Sequence, residues 1–326
     1  LSGLVILLEF VEDVLRVVML DRETTALERT FEEDAGSWIR RALKPAEELP
    51  IEIRTIDPAA IMDADAVDTD AVFILRPDLL QEEGWKTIAE FRTSGGMVVV
   101  MPPGDRDVHS WMGSMLEALD LEWVAQPEHL VPETPIGVQR GEVEDSILEV
   151  LGSELDALLE PVTISRILPV EPGPAAATAL RTTQGLPVLI SETTPGRGTV
   201  VFVATAPRLD WTSLPSKPLM VPLVQELLRG GIHLSRGNQE VTVGDPEWKN
   251  EVTFSSGDLR HPGGRSVFVD PEDTTPGLEL PGVWTVHDDR GNPTSLLVAN
   301  VDPRVGDADP QSEEAISKWL GETGTW

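Results

Sequence analysis

With 326 residues and 40% hydrophobic content, the chain has apolar material for two domains with real cores, which excludes a disordered polypeptide. A formal charge of −31 and a pI near 4.3 argue against nucleic acid or an anionic lipid surface as partner, because both would be repelled. Cysteine is absent, so disulfides, thiolate metal sites and cysteine nucleophiles are excluded together. Aspartate and glutamate are scattered without long blocks, the pattern of a solvated acidic surface.

Leu1 to Val11 is apolar around Glu9, and its longest uncharged run, Leu1 to Leu8, falls short of the roughly 18 residues of a membrane span. Residues 1–12 are expected to form the terminal strand of a preceding domain or a linker. No charged leader or small-residue cleavage site precedes them, so the chain reads as an excised soluble piece of something longer, a reading that leaves room for membrane segments in its flanks. Residues 13–236 read as an α/β domain. Val14 to Leu20 is its first strand, and Thr30, with Glu33 completing a capping box, starts a helix striped by Phe31, Ala35, Trp38, Ile39, Ala42 and Leu43 and stopped by Pro45. Ile51 to Ile56 alternates like an edge strand, whereas Ala71 to Leu75 does not alternate and belongs nearer the centre. Gln81 to Arg92 is helical, with Ile88 and Phe91 inward and Gly95-Gly96 closing it. Met97 to Met101, between that glycine pair and Pro102-Pro103-Gly104, is the strand buried on both faces around which the domain is organised. Four strands alternating with helices predict a mostly parallel, flavodoxin-like sheet with right-handed crossovers.

Val108, Trp111, Met112, Met115 and Leu116 then repeat at helical spacing, as do Ile147, Leu151, Leu155 and Leu158, with a Pro-rich loop, Gln126 to Gly137, between them. The region around 120–175 is an insertion. A β-rich stretch follows over Val162 to Val170, Ala175 to Arg181, Pro187 to Ser191 and Gly198 to Ala204, the last apolar enough to rejoin the main sheet. Helix Pro222 to Arg229 closes the domain, with Gly230-Gly231 as its stop. Residues 237–326 form a second, β-rich unit of small β-sandwich character, with a hairpin from Val283 to His287 and Ser295 to Asn300 across Asp288 to Asn292, and a last helix capped by Asp309 ahead of Pro310.

Open α/β sheets place ligands just past the carboxyl ends of their strands, so Asp105, Arg106, Asp107 and His109 form the candidate ligand site. The plainer role of Asp107 is to cap the next helix. No Gly-x-Ser-x-Gly elbow, phosphate loop or His-Glu-x-x-His helix occurs, and none of the five histidines precedes a glutamate by two positions. No catalytic residue, metal ion or cofactor is therefore expected. Asp302 to Asp309 has carboxylates suited to calcium but no EF-hand spacing, so it reads as a solvated linker.

The segment Ala204 to Gln225 is the most distinctive. With Gly185 and Pro187, Gly196, Gly198 and Val200, Trp211 to Pro215 and Val221 to Leu223, it resembles the soluble region of BatA-type aerotolerance membrane proteins. Leu15 to Asp21 and Ala299 to Asp302 fit the same pattern, and the resemblance covers most of Val14 to Val301. It implies a class I glutamine amidotransferase-like domain that lacks the nucleophile, followed by a β domain, on the periplasmic side of the bacterial inner membrane. The role it implies is a non-catalytic scaffold whose partners are membrane or periplasmic proteins, including a system linked to MoxR-type ATPases. The metal loop Asp-x-Ser-x-Ser of a von Willebrand factor A domain, often paired with this family, is missing. The alternative is a saccharide- or small-ligand-binding or enzymatic domain of the trehalose-utilisation-like branch of the fold, acting through Asp105, Asp107 or His109. Trp111 would then need to be exposed for ring stacking, although its spacing with Val108 and Met115 places it in the core.

Overall fold

The computed structural model describes residues 14–22, 35–104, 108–141, 147–194, 198–236, 240–245, 257–269, 278–287 and 293–301. The expected strand at Leu1 to Val11, the Thr30–Glu33 capping box, the Asp288 to Asn292 turn, the acidic run Asp302 to Asp309 and the last helix lie outside these residues. The chain divides into two compact units, Leu1–Arg236 and Gly237–Trp326.

In the first unit the strands are β1 (Leu15–Leu20), β2 (Ile51–Ile56), β3 (Ala71–Ile74), β4 (Met97–Val100), β5 (Val124–Ala125), β6 (Ile136–Arg140), β7 (Thr163–Ile164), β8 (Val170–Glu171), β9 (Ala177–Thr182), β10 (Pro187–Thr193) and β11 (Thr199–Val203). Nine of them form one sheet in the order β2-β1-β3-β4-β11-β10-β9-β6-β7, while β5 and β8 pair apart from it. The run β2-β1-β3-β4-β11 is parallel throughout, which is the flavodoxin-like order with β11 as its fifth strand. From β11 onward every pairing is antiparallel, an extension that the β-rich stretch did not reveal. Strands β3, β4 and β11 are buried along their whole length, as their unbroken apolar runs require, and β2 at the edge alternates.

The helices are α1 (Ala35–Leu43), α2 (Asp63–Ala66), α3 (Glu82–Thr93), α4 (Val108–Ala118), α5 (Glu154–Leu159) and α6 (Met220–Arg236). Helix α1 buries Ile39, Ala42 and Leu43, and Gln225 of α6 donates its amide N–H groups to the carbonyls of Ala42 (2.8 Å) and Leu43 (2.6 Å). Those carbonyls end a helix and have no partner within it, so a side chain from the neighbouring helix caps them. Helix α3 turns Ile88 and Phe91 inward, and Trp111, Met112 and Met115 of α4 are buried as their spacing predicted.

Three expectations are corrected. Helix α6 does not stop at Gly230-Gly231 but continues to Arg236. A Cβ on Gly231 would lie 2.2 Å from Met97 Cε, and one on Gly230 would lie 2.7 Å from the Ile147 carbonyl oxygen, so the pair lets α6 lie close against β4 and the 147 turn. The single helix expected through Ile147, Leu151, Leu155 and Leu158 is broken at Gly152 into a 3-10 turn, Glu149–Leu151, and α5. Val162 to Val170 likewise supplies only the two-residue strands β7 and β8 instead of one long strand.

At the amino-terminal edge of the parallel strands lies a buried polar network. Arg92 at the end of α3 and Glu192 on β10 are 7% and 8% exposed, with Arg92 Nη2 4.0 Å from Glu192 Oε1. Trp123 Nε1 donates to Glu192 Oε2 at 2.7 Å, and Arg92 also donates to Thr194 Oγ1 at 3.1 Å and to the Leu119 carbonyl. Buried charge is tolerated when it is paired and hydrogen-bonded, and here the pairing joins α3, the α4–β5 connection and the antiparallel extension.

The second unit holds a five-stranded sheet in the order β12-β16-β15-β13-β14, from β12 (Glu240–Thr242), β13 (Gly257–Arg260), β14 (Ser266–Val269), β15 (Gly282–His287) and β16 (Pro293–Asn300). The expected hairpin is the antiparallel pair β15 and β16, and Val241, Leu259, Val269, Trp284, Val286 and Leu297 form its core.

Candidate functional site

The order β2-β1-β3-β4-β11 puts the reversal of strand order between β1 and β3, and sheets of this kind take their ligands outside the carboxyl ends of the two strands at that point. This is two strands away from the exit of β11 and one from that of β4, where the sequence placed it. Asp105, Arg106 and Asp107 lie outside the described residues. His109 falls in the first turn of α4, and its side chain is not among those described.

What lines the carboxyl edge is a row of arginine–aspartate forks. After β1, Arg22 donates from Nε to Asp57 Oδ2 at 3.0 Å and from Nη2 to Asp57 Oδ1 at 3.1 Å, joining the exits of β1 and β2. After β3, Arg76 donates to Asp78 through Nε and Nη2, both at 2.9 Å. After β11, Arg208 donates to Asp210 through Nε (2.9 Å) and Nη2 (3.2 Å). A Cβ on Gly104 would stand 3.3 Å from Arg208 Nη1, so the glycine past β4 makes room for that guanidinium. The planar guanidinium matches a carboxylate bidentately, which fixes each fork in geometry as well as charge.

The forks after β1 and β3 feel each other. Asp57 is held below the usual carboxylate range first by its hydrogen bond from Arg22, next by the Ala59 N–H, and also by the charges of Arg22 and Arg76. Arg76 is held more firmly protonated by Asp78, with Asp21 and Asp57 adding to the effect against the cost of burial. Asp57 also accepts the Ala59 N–H at 3.0 Å and so caps the turn Pro58–Ala60. Because its folded-state pKa is lowered, Asp57 adds stability that is present above about pH 4 and lost as the pH falls through the lowered value. Asp57→Asn should therefore cost less than about 1 kcal/mol at neutral pH, since the fork is largely exposed, and the gap to the parent chain should close in acid. Urea midpoints across that pH range check it. A gap that widens in acid would refute the assignment.

The described surroundings offer little else to a ligand. Trp111 is 2% exposed and packs in the core, so it presents no ring face. Among the described residues no group of three His, Asp or Glu side chains is placed to hold a metal ion. An apolar cavity of about 20 Å³, lined by residues including Val138, Val162, Val188, Leu214 and Leu223, has room for little more than one water-sized group. Sequence reading missed the forks. Two had a signal, the spacing Arg-x-Asp past an apolar run, immediately after it at Arg76 to Asp78 and beyond Thr205-Ala206-Pro207 at Arg208 to Asp210. The third joins residues 35 positions apart and has none.

No protein-family model matches the chain, and no curated protein is similar to it. Among solved structures, a cytoplasmic protein of Salmonella typhimurium is 11% identical with a TM-score of 0.48, over 66% of this chain and 97% of that one. A ThuA-like protein of Bacteroides uniformis is 9% identical with a TM-score of 0.44, over 69% and 91%. A beta-galactosidase of Rahnella is 15% identical with a TM-score of 0.44, over 67% of this chain and 30% of that one. Likeness at this level assigns no activity, ligand or partner.

Proposed function

We propose that this chain is a non-catalytic interaction module, the extracytoplasmic scaffold of a membrane-anchored BatA-type protein whose membrane segments lie outside this sequence. The observation that supports it is the described part of the carboxyl edge, where Arg22, Arg76 and Arg208 are each already engaged with an aspartate in a fork. A fork donates from Nε and Nη2 together, and opening it for a ligand means replacing two charge-assisted hydrogen bonds. The trehalose-utilisation-like reading loses its stacking surface with Trp111 buried. The glycine and tryptophan motifs behind the resemblance also act in packing, since Trp211 is fully buried and Gly198 sits at a tight crossing. Among the described residues no helix is long and apolar enough to cross a membrane, so anchoring falls to other segments. Partners in this reading are membrane or periplasmic proteins, including those of a MoxR-ATPase-linked system.

The test is an assay of the purified chain for glutaminase and glycoside hydrolase activity and for saccharide-dependent thermal stabilisation, beside the Asp78→Asn and Asp210→Asn variants. No turnover above the buffer blank and no saccharide-induced shift are expected for any of the three. An activity in the parent chain that either substitution abolishes would overturn the proposal.

A further inference from the structure

With no cysteine in the chain, sulfur chemistry rests on methionine alone. All seven methionines lie among the described residues, and they divide sharply. Met19, Met97, Met101, Met112, Met115 and Met220 are at most 4% exposed, whereas Met62 is 64% exposed. Met62 stands on the β2–β3 crossover, immediately before α2. Its N–H donates to Asp65 Oδ2 at 3.0 Å and its carbonyl accepts the Asp65 N–H at 2.8 Å. The backbone is thus pinned by two bonds while the side chain stands in solvent beside exposed Asp63 and Ala64. A peroxide that reaches the folded chain meets one accessible thioether and no thiol to intercept it.

We propose that Met62 is a reversible oxidation site of this chain, with hydrogen peroxide or a related two-electron peroxide as oxidant. The sulfur lone pair attacks one peroxide oxygen, the O–O bond breaks as the S–O bond forms, and sulfur loses two electrons. The proton on the transferred oxygen passes to the departing hydroxide, which leaves as water. The sulfoxide places a hydrogen-bond acceptor where an apolar side chain stood, changing the surface chemistry of the crossover without touching the two hydrogen bonds between the Met62 backbone and Asp65. The same exposure that admits the oxidant admits a methionine sulfoxide reductase. This inference is independent of the proposed scaffold role, because it uses only burial and sulfur chemistry.

The folded full chain is treated with hydrogen peroxide, quenched at intervals, digested and mapped by mass spectrometry. Met62 should gain one oxygen at least about tenfold faster than any other methionine. The singly oxidised chain should keep its melting temperature, and methionine sulfoxide reductases should return it to the thioether. Met62→Leu should gain no oxygen in the same interval while melting as the parent does, which separates loss of the site from loss of the fold. A second methionine oxidising within tenfold of Met62, or a Met62 sulfoxide that the reductases leave in place, would overturn the assignment.

Discussion

Glu192→Leu should destabilise the first unit by about 3 kcal/mol or more, because it leaves the Arg92 guanidinium charged and buried without its counter-charge. The bonds from Arg92 to Thr194 and to the Leu119 carbonyl survive the change and keep the loss toward the lower end of what such sites show. Trp123→Phe removes only the indole donor and leaves the two charges facing each other, so it should cost about 1–2 kcal/mol beyond packing. Arg92→Met combined with Glu192→Leu takes both charges away and should recover most of the single-variant loss, since an apolar pair of similar volume is often as stable as a buried ion pair. Urea midpoints of the four chains decide it. A Glu192→Leu loss under about 1 kcal/mol would show that water reaches the pair and that the network is not a closed one.

Gly198→Ala should be comparably severe, for a reason of backbone and not of charge. Gly198 has φ +77°, and a Cβ there would lie 2.2 Å from the Gly96 carbonyl oxygen and 2.7 Å from that of Arg92. Both obstacles are main chain, so the entry to β11 would have to move away from the α3–β4 turn. Gly185 supplies the internal control, with φ +90° and no atom within 4 Å of the same added group. Gly185→Ala meets only the left-handed conformation and should cost about 1–2 kcal/mol. Gly198→Ala pays that and the collision, and should exceed it by at least about 2 kcal/mol. Equal losses for the two variants would mean that the crossing relaxes freely.

Much of the parallel half was legible because its signals are local. Ala71 to Leu75 and Met97 to Met101 carry unbroken apolar runs that suit only strands covered on both faces, and Ile51 to Ile56 carries the alternation of an edge. The hairpin β15–β16 was legible for the same reason. Close packing was not. Gly230 and Gly231 have the composition of a helix stop, and only the nearness of Met97 and Ile147 shows that they serve contact instead. The antiparallel extension was hidden too, since β6 and β9 meet across a long separation and β7 is two residues long. At the candidate site, strand order moved the crevice to the β1–β3 exits, and order is a property of pairing that no stretch of sequence carries by itself. The Arg22–Asp57 fork is a case in point, joining two strand exits that become neighbours only once β2 lies beside β1.

The lateness of β11 has a consequence for biosynthesis. Met97 on β4 takes Thr199 as its neighbour, on the order of a hundred positions further along the chain. While a ribosome makes that intervening length, the growing polypeptide carries a central strand, Met97 to Val100, with one side unpaired and wholly apolar. At 5–20 residues per second, roughly, that interval lasts several seconds, long enough for an unprotected edge to find another chain. Production of this protein should therefore depend on holdase chaperones more than its finished, strongly acidic surface suggests.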